Sequence, residues 1–167
     1  MNLGHIAAVA LDVDGVLTDG AFWWGPQGEE LKRFCFLDVM GISLGTRGGL
    51  IFALISGEAT PQVQRYADKM HIADVWTGCK DKAGALREFA ARHRLDLSQV
   101  CFLGDDVNDL EALRLAGFSA CPATAHARVR EMANFVSAFP GGQGAVRDVV
   151  DRILAARTAH TEEACPG

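Results

Sequence analysis

The sequence predicts an α/β fold: a three-layer, doubly wound parallel sheet with a small β-hairpin flap and no separate cap domain. Two observations predict it. Short apolar runs of strand length alternate with longer segments of helical periodicity, the pattern of strands buried on both faces and linked by helical crossovers. Those runs also end in polar residues, Asp12-Val13-Asp14-Gly15, Ser56-Gly57 and Gly104-Asp105-Asp106, as expected where parallel strands deliver side chains to one edge. At 167 residues the chain suits a single domain with a genuine core. We assign residues 1–158 to that domain and expect 159–167, "AHTEEACPG", to form a flexible tail.

The elements follow in order. "IAAVALDV" (6–13) is the first strand. Residues 18–36, "TDGAFWWGPQGEELKRFCF", break the strand–helix rhythm and read as a hairpin around a Gly-Pro-Gln-Gly turn. The hairpin leaves from the end of the first strand, where open parallel sheets bind ligands, so it is placed as a flap over a site. Helical periodicity covers about 38–48, 60–71, 82–94, 107–116, 125–132 and 143–158. "LIFALIS" (50–56), "VCFLGDD" (100–106) and "FSACPA" (118–123) are further buried strands, and "DVWTG" (74–78) and "NFVSAF" (134–139) are weaker ones. Thr60 with Pro61, and Asp81, are placed as helix N-caps.

Apolar residues at 49% and charged residues at 22% describe an ordinary soluble protein. A net charge of −5 excludes a broad nucleic-acid-binding face, which needs a basic footprint. No run approaches the ~18–20 apolar residues of a membrane span, and "MNLGHIAAVALDVDG" turns acidic too soon for a signal peptide. A cytoplasmic location is the expectation. The 5 cysteines form no CxxC pair, and Cys101 and Cys121 fall within strands as small core residues.

The stretch "LDVDGVLTDG" (11–20) packs Asp12, Asp14 and Asp19 where a buried strand ought to end. Carboxylates at close range repel, and burying them unpaired costs several kcal/mol. A divalent cation removes that difficulty. Parallel strands bring Ser56 and Gly57, Lys82 and the Asp105-Asp106 pair to the same edge. Taken singly, each has an ordinary structural reading: a turn, a solvated helix lysine, an acidic helix start. Together they suit phosphoryl transfer, in which a cation and a lysine hold phosphate while a carboxylate attacks it.

"LDVDGVLTDG", "LISG", "DK" and "GDDVNDLEALRLAG" resemble the four motifs of the haloacid dehalogenase-like phosphatases, over about residues 6–158. "GEELKRF", "DVMGI" and "GGQGAVRDV" are similar to the capless branch that includes deoxy-octulosonate 8-phosphate and deoxy-nonulosonate 9-phosphate phosphatases. The resemblance implies Asp12 as a nucleophile forming an aspartyl-phosphate and Asp14 as general acid and base. Ser56, Gly57 and Lys82 would bind phosphate. Asp12, Asp14 (through its main-chain carbonyl) and Asp105 would hold Mg²⁺, with Asp109 and Asp106 behind them. Oxygen ligands suit that hard cation.

Within the branch, substrate choice turns on a few positions. Glu58 and Lys69 match the nonulosonate pattern, where octulosonate enzymes carry arginine after the second motif, and Gln143 replaces another expected arginine. Trp23 and Trp24 face opposite sides of one strand, so one of them is expected over the site and the other on a neighbouring subunit. An aromatic wall also suits the delta subunit of phenylphosphate carboxylase, which resembles this branch. A third reading is a non-catalytic assembly domain. His126 follows a strand at the active edge and is a further candidate. The apolar flap and the branch resemblance imply a homotetramer whose neighbours complete the site, with "GGQGAVRD" or the tail contributed across subunits.

Overall fold

The computed structural model describes residues 3–163, with side chains through residue 158. Six parallel strands form one sheet: β1 (Ala8–Leu11), β4 (Ile51–Ile55), β5 (Asp74–Trp76), β6 (Val100–Leu103), β7 (Phe118–Cys121) and β8 (Phe135–Val136), in the order β5-β4-β1-β6-β7-β8. A separate antiparallel pair, β2 (Trp23–Trp24) and β3 (Glu30–Leu31), is the flap. The helices are α1 (Phe36–Arg47), α2 (Pro61–Met70), α3 (Lys82–Arg92), α4 (Leu110–Leu115), α5 (Ala127–Met132) and α6 (Ala145–Glu163).

The three layers follow from the period of two along each strand. Val9 and Leu11 of β1, with Phe52 and Leu54 of β4 and Cys101 and Leu103 of β6, face α1, α2 and α6 through Ile42, Val63 and Val150. The alternate residues Ala8 and Ala10, Ala53 and Ile55, and Val100 and Phe102 face α3, α4 and α5 through Leu86, Phe89, Leu113 and Val129. Each large side chain fully buried this way contributes roughly 1.5–3 kcal/mol of transfer free energy. Small residues set the spacing on the first face. A Cβ at Gly41 would lie 2.7 Å from Arg147 Cα, and one at Gly45 would lie 2.6 Å from Phe52, so α1 seats against α6 and β4 only because these side chains are missing.

Several boundaries differ from the sequence expectation. β1 ends at Leu11, so Asp12 and Asp14 belong to a turn rather than to one face of a continuing strand. The flap pairs only 2 residues per strand, and Phe36 already begins α1. The segment 107–116 splits into a 3-10 turn, Val107–Asp109, and α4, because Asp106 caps the turn and Asp109 folds back on it. The helix placed at 143–158 runs as α6 from Ala145 through Glu163, into the stretch expected as tail; 164–167 lie outside the described residues. Asp81 caps α3 by accepting from Gly84 N–H at 2.8 Å. Thr60 occupies the N-cap position of α2 with Pro61 following, yet its buried hydroxyl has no hydrogen-bond partner among the described residues.

Candidate active site

Parallel strands β1, β4 and β6 end side by side, and the polar residues that follow them enclose a cavity of about 250 Å³. Asp12, Asp14 and Gly20 line it from the first turn, Gly57 and Glu58 from the end of β4, Lys82 from the start of α3, and Asp105, Asp106 and Asn108 from the loop after β6.

Lys82 is 3% exposed, and its Nζ lies 2.9 Å from Asp12 Oδ1 and 2.6 Å from Asp109 Oδ1. Asp109 also accepts the backbone N–H groups of Asp105 and Asp106 through Oδ2, at 2.9 and 3.3 Å. It therefore holds both the ammonium and the loop that carries Asp105. Carboxylate oxygens of Asp12, Asp105 and Asp109 all lie within 4.8 Å of one another. Burial, then repulsion from Asp109, pushes Asp12 well above the usual carboxylate range, against the pull of Lys82. Asp105 is raised to about 7 by burial and by the charges of Asp109 and Asp106. Burial alone would lower Lys82, but Asp12 and Asp109 outweigh it and hold the ammonium more tightly than in water. Three clustered carboxylates facing one ammonium make an all-oxygen donor set short of positive charge, which fits a hard divalent cation.

The turn after β1 is built for close approach. Gly15 has φ +84°, and a Cβ there would lie 2.0 Å from Asp105 Oδ2. The buried Thr18 hydroxyl accepts from Gly15 N–H and Gly20 N–H, each at 3.2 Å. Asp19 has no part in the cluster. It accepts from Ala21 N–H at 3.1 Å and Arg33 at 3.3 Å, closing the base of the flap.

Ser56 is fully buried; its hydroxyl accepts from Glu58 N–H at 3.1 Å, which shapes the Gly57-Glu58 turn beside the cavity. Asp106 caps the 3-10 turn by accepting from Val107 N–H. His126 caps α5 through Nδ1 and donates its backbone N–H to the Asp105 carbonyl at 2.8 Å, so its place at this edge is architectural. Lys69 lies elsewhere, in a mainly apolar cavity with Phe34, Phe36 and Tyr66, its Nζ 5.8 Å from the Phe36 ring. Trp23 and Trp24 are 52% and 73% exposed, and neither lines the carboxylate cavity. With only 2 paired residues per strand, the flap does not fold either ring inward.

Two contributions escape motif reading. Lys32, from the segment after β3, places Nζ 2.6 Å from Asp14 Oδ1. Asn108 lines the cavity, and only its position between Asp106 and Asp109 could have marked it. The "GGQG" loop, expected across a subunit boundary, is bound within its own chain: Gly142 N–H donates to the Val16 carbonyl and Gly141 N–H to Thr124 Oγ1. A Cβ at Gly141 would lie 1.8 Å from the Gly15 carbonyl oxygen.

A model of haloacid dehalogenase-like hydrolases matches residues 51–147. A 3-deoxy-D-manno-octulosonate 8-phosphate phosphatase from Yersinia pestis is 35% identical over 153 residues, spanning 92% of this chain and 82% of that protein. The crystal structure of such a phosphatase from Moraxella catarrhalis, in complex with magnesium, phosphate and KDO, superposes with TM-score 0.90 at 32% identity, covering 98% of this chain and 96% of the other. The cobalt-bound form of the enzyme from Haemophilus influenzae gives TM-score 0.91 at 31% identity, covering 97% and 95%.

Proposed function

Because the chain belongs to the haloacid dehalogenase-like hydrolases, we propose that its carboxylate cavity is the active site of a Mg²⁺-dependent phosphatase acting on a keto-deoxy sugar acid phosphate. The observation that carries the site is the buried group Asp12, Asp105 and Asp109, clamped by Lys82 where three parallel strands end. The substrate class is supported by relatives that are octulosonate 8-phosphate phosphatases, one of them holding KDO and phosphate. The cavity is small for a whole sugar acid, since ligand sites commonly run ~300–1,000 Å³. It takes the phosphoryl group, and the sugar extends past Gly20 and Glu58.

An oxygen of Asp12 attacks phosphorus while the ester P–O bond breaks, and the bonding pair stays on the departing oxygen. Asp14 gives that oxygen its proton, and the sugar leaves as the alcohol. Asp14 then takes a proton from water, whose oxygen attacks the aspartyl-phosphate, releasing phosphate and restoring Asp12. Lys82 and the Ser56-Gly57 turn hold the phosphoryl oxygens. Asp12, Asp105 and the Asp14 main-chain carbonyl would hold Mg²⁺, with Asp109 beside them and Asp106 securing their loop. When bound, the cation offsets the charge of nucleophile and phosphate, which otherwise repel.

Asp12→Asn removes the attacking oxygen's charge at nearly unchanged volume and is expected to lower turnover at least ~10³-fold. Phosphate release is measured with octulosonate 8-phosphate, nonulosonate 9-phosphate and phenyl phosphate. Near-wild-type turnover by the purified variant removes the nucleophile assignment, and preference for the phenyl ester removes the sugar-acid reading. Glu58 borders the sugar's path and is the first candidate for discriminating the two chain lengths; Lys69, Trp23 and Trp24 do not line the cavity, and in this reading a neighbouring subunit would supply them. The aromatic wall that an aryl phosphate would want is not built by this chain around its own cavity.

The working unit in this reading is a homotetramer. Phe34 is satisfied within the chain, stacked on Tyr66 at 4.3 Å, but Phe22, Trp23, Trp24 and Phe36 are each more than half exposed. Such a patch favours association. A monodisperse, fully active monomer in light scattering would exclude it. Among the described residues no helix is long and apolar enough to cross a membrane, and we place the enzyme in the cytoplasm with its small-molecule phosphate ester and no nucleic-acid partner.

A further inference from the structure

The flap carries a lysine into the catalytic turn. The Lys32 side chain is only 3% exposed, with Nζ 2.6 Å from Asp14 Oδ1 and 3.4 Å from Glu30 Oε1. An ammonium buried without partners costs several kcal/mol, so the site must be arranged to receive it. The segment that presents it is fastened at two points. The Gln62 side-chain amide of α2 donates to the Glu30 carbonyl, and Arg33 pairs with Asp19 at the flap base. Lys82, the lysine that lines the cavity, is held instead by Asp12 and Asp109.

We propose that Lys32 is a positioning residue for phosphoryl transfer: by engaging Asp14 Oδ1 it turns Asp14 Oδ2 toward the leaving oxygen of the ester. This rests on Asp14 as the acid described above. As the Asp12 oxygen bonds to phosphorus and the ester P–O bond breaks, the proton on Asp14 Oδ2 passes to the departing oxygen. The hold on Oδ1 survives this change, because a neutral carboxyl still accepts from an ammonium at its carbonyl oxygen. Without Lys32 the carboxyl turns about its Cβ–Cγ bond, and fewer bound substrates find the proton in place. The contact also ties the flap to the acid.

The test is a series of aryl phosphates, p-nitrophenyl, phenyl and p-methylphenyl, which differ in how much their leaving oxygen needs a proton. It reads kcat/KM, which covers the steps through loss of the leaving group. Positioned acids are worth ~10²–10⁴-fold, so Lys32→Met is expected to lower kcat/KM ~10–100-fold for the phenyl and p-methylphenyl esters and less than ~3-fold for p-nitrophenyl phosphate. Lys32→Arg should recover most of the loss, and Lys32→Gln repeats the comparison if the methionine variant fails to fold. Equal losses across the series, or none, overturn the proposal. Asp14→Asn in the same series separates the two readings. If it steepens the dependence while the Lys32 variants do not, the acid stands and Lys32 falls; if it does not, the acid assignment itself falls and takes the proposal with it.

Discussion

Holding three carboxylates together makes cation binding a competition with protons. In the metal-free protein, burial and the charges of Asp109 and Asp106 raise Asp105 to about 7, and burial with Asp109 raises Asp12. A carboxyl whose folded value exceeds its unfolded one binds protons more tightly in the fold. Metal-free stability therefore falls as pH rises from about 4 toward about 7. Mg²⁺ takes the ionised oxygens and reverses that loss. At pH 8, with Mg²⁺ at about 100 times its Kd, the stabilisation is about 2.7 kcal/mol, or about 5–11 °C in Tm for a chain of this size. A pH of 5 lies two units below the Asp105 value of about 7, which leaves roughly 1% of that carboxyl ionised and weakens binding ~100-fold. The same Mg²⁺ then adds only about 0.4 kcal/mol, a shift of about 1–2 °C. Thermal melts of chelator-stripped protein with and without MgCl₂ at the two pH values measure both shifts. Equal shifts at both, or a full shift retained in Asp105→Ala, would refute the reasoning.

Gly15→Ala forces a side chain onto φ +84° and into Asp105; it should raise the Mg²⁺ concentration needed for half-maximal activity at least ~10-fold, read by metal titration of turnover. Ca²⁺ in place of Mg²⁺ should inhibit, because its looser coordination would misplace Asp12, the proposed nucleophile; competition kinetics with both ions decide this. Asp38, fully buried in α1, accepts the N–H groups of Gly144, Val146 and Arg147 at the start of α6. Asp38→Ala should cost about 2–3 kcal/mol, seen as a lower urea midpoint at unchanged slope.

The central strands β1 and β6 were legible because both are buried on both faces and therefore apolar throughout: Ala8–Leu11 and Val100–Leu103 contain no polar residue. The site was legible for the opposite reason, since charge at the end of such a run has little else to do. What escaped depended on distances no local pattern encodes. Asp109 was expected behind the metal ligands; what the sequence did not show is that it holds Lys82 while one of its oxygens lies within 4.8 Å of those of Asp12 and Asp105. Lys32 reaches Asp14 across 18 residues, through a flap with only 2 paired positions per strand to advertise its register. Alternation in "AFWW" suggested one tryptophan over the site, but alternation specifies opposite faces and not what stands in front of them. Asp38 carries no local signal, because its partners lie more than 100 residues on.

The contact between the turn after β1 and the 141–144 loop gives synthesis an order. Asp12 and Gly15 leave the ribosome well before the 141–144 loop, yet Val16 waits for Gly142, and Asp38 waits for Gly144 through Arg147. Loop closure over such separations is slow and comes late. A nascent chain stalled before residue 141 therefore carries Asp12, Asp14 and Asp105 without the brace that fixes the turn after β1. Such a fragment should be inert. Activity becomes a report that translation has passed the 141–144 loop.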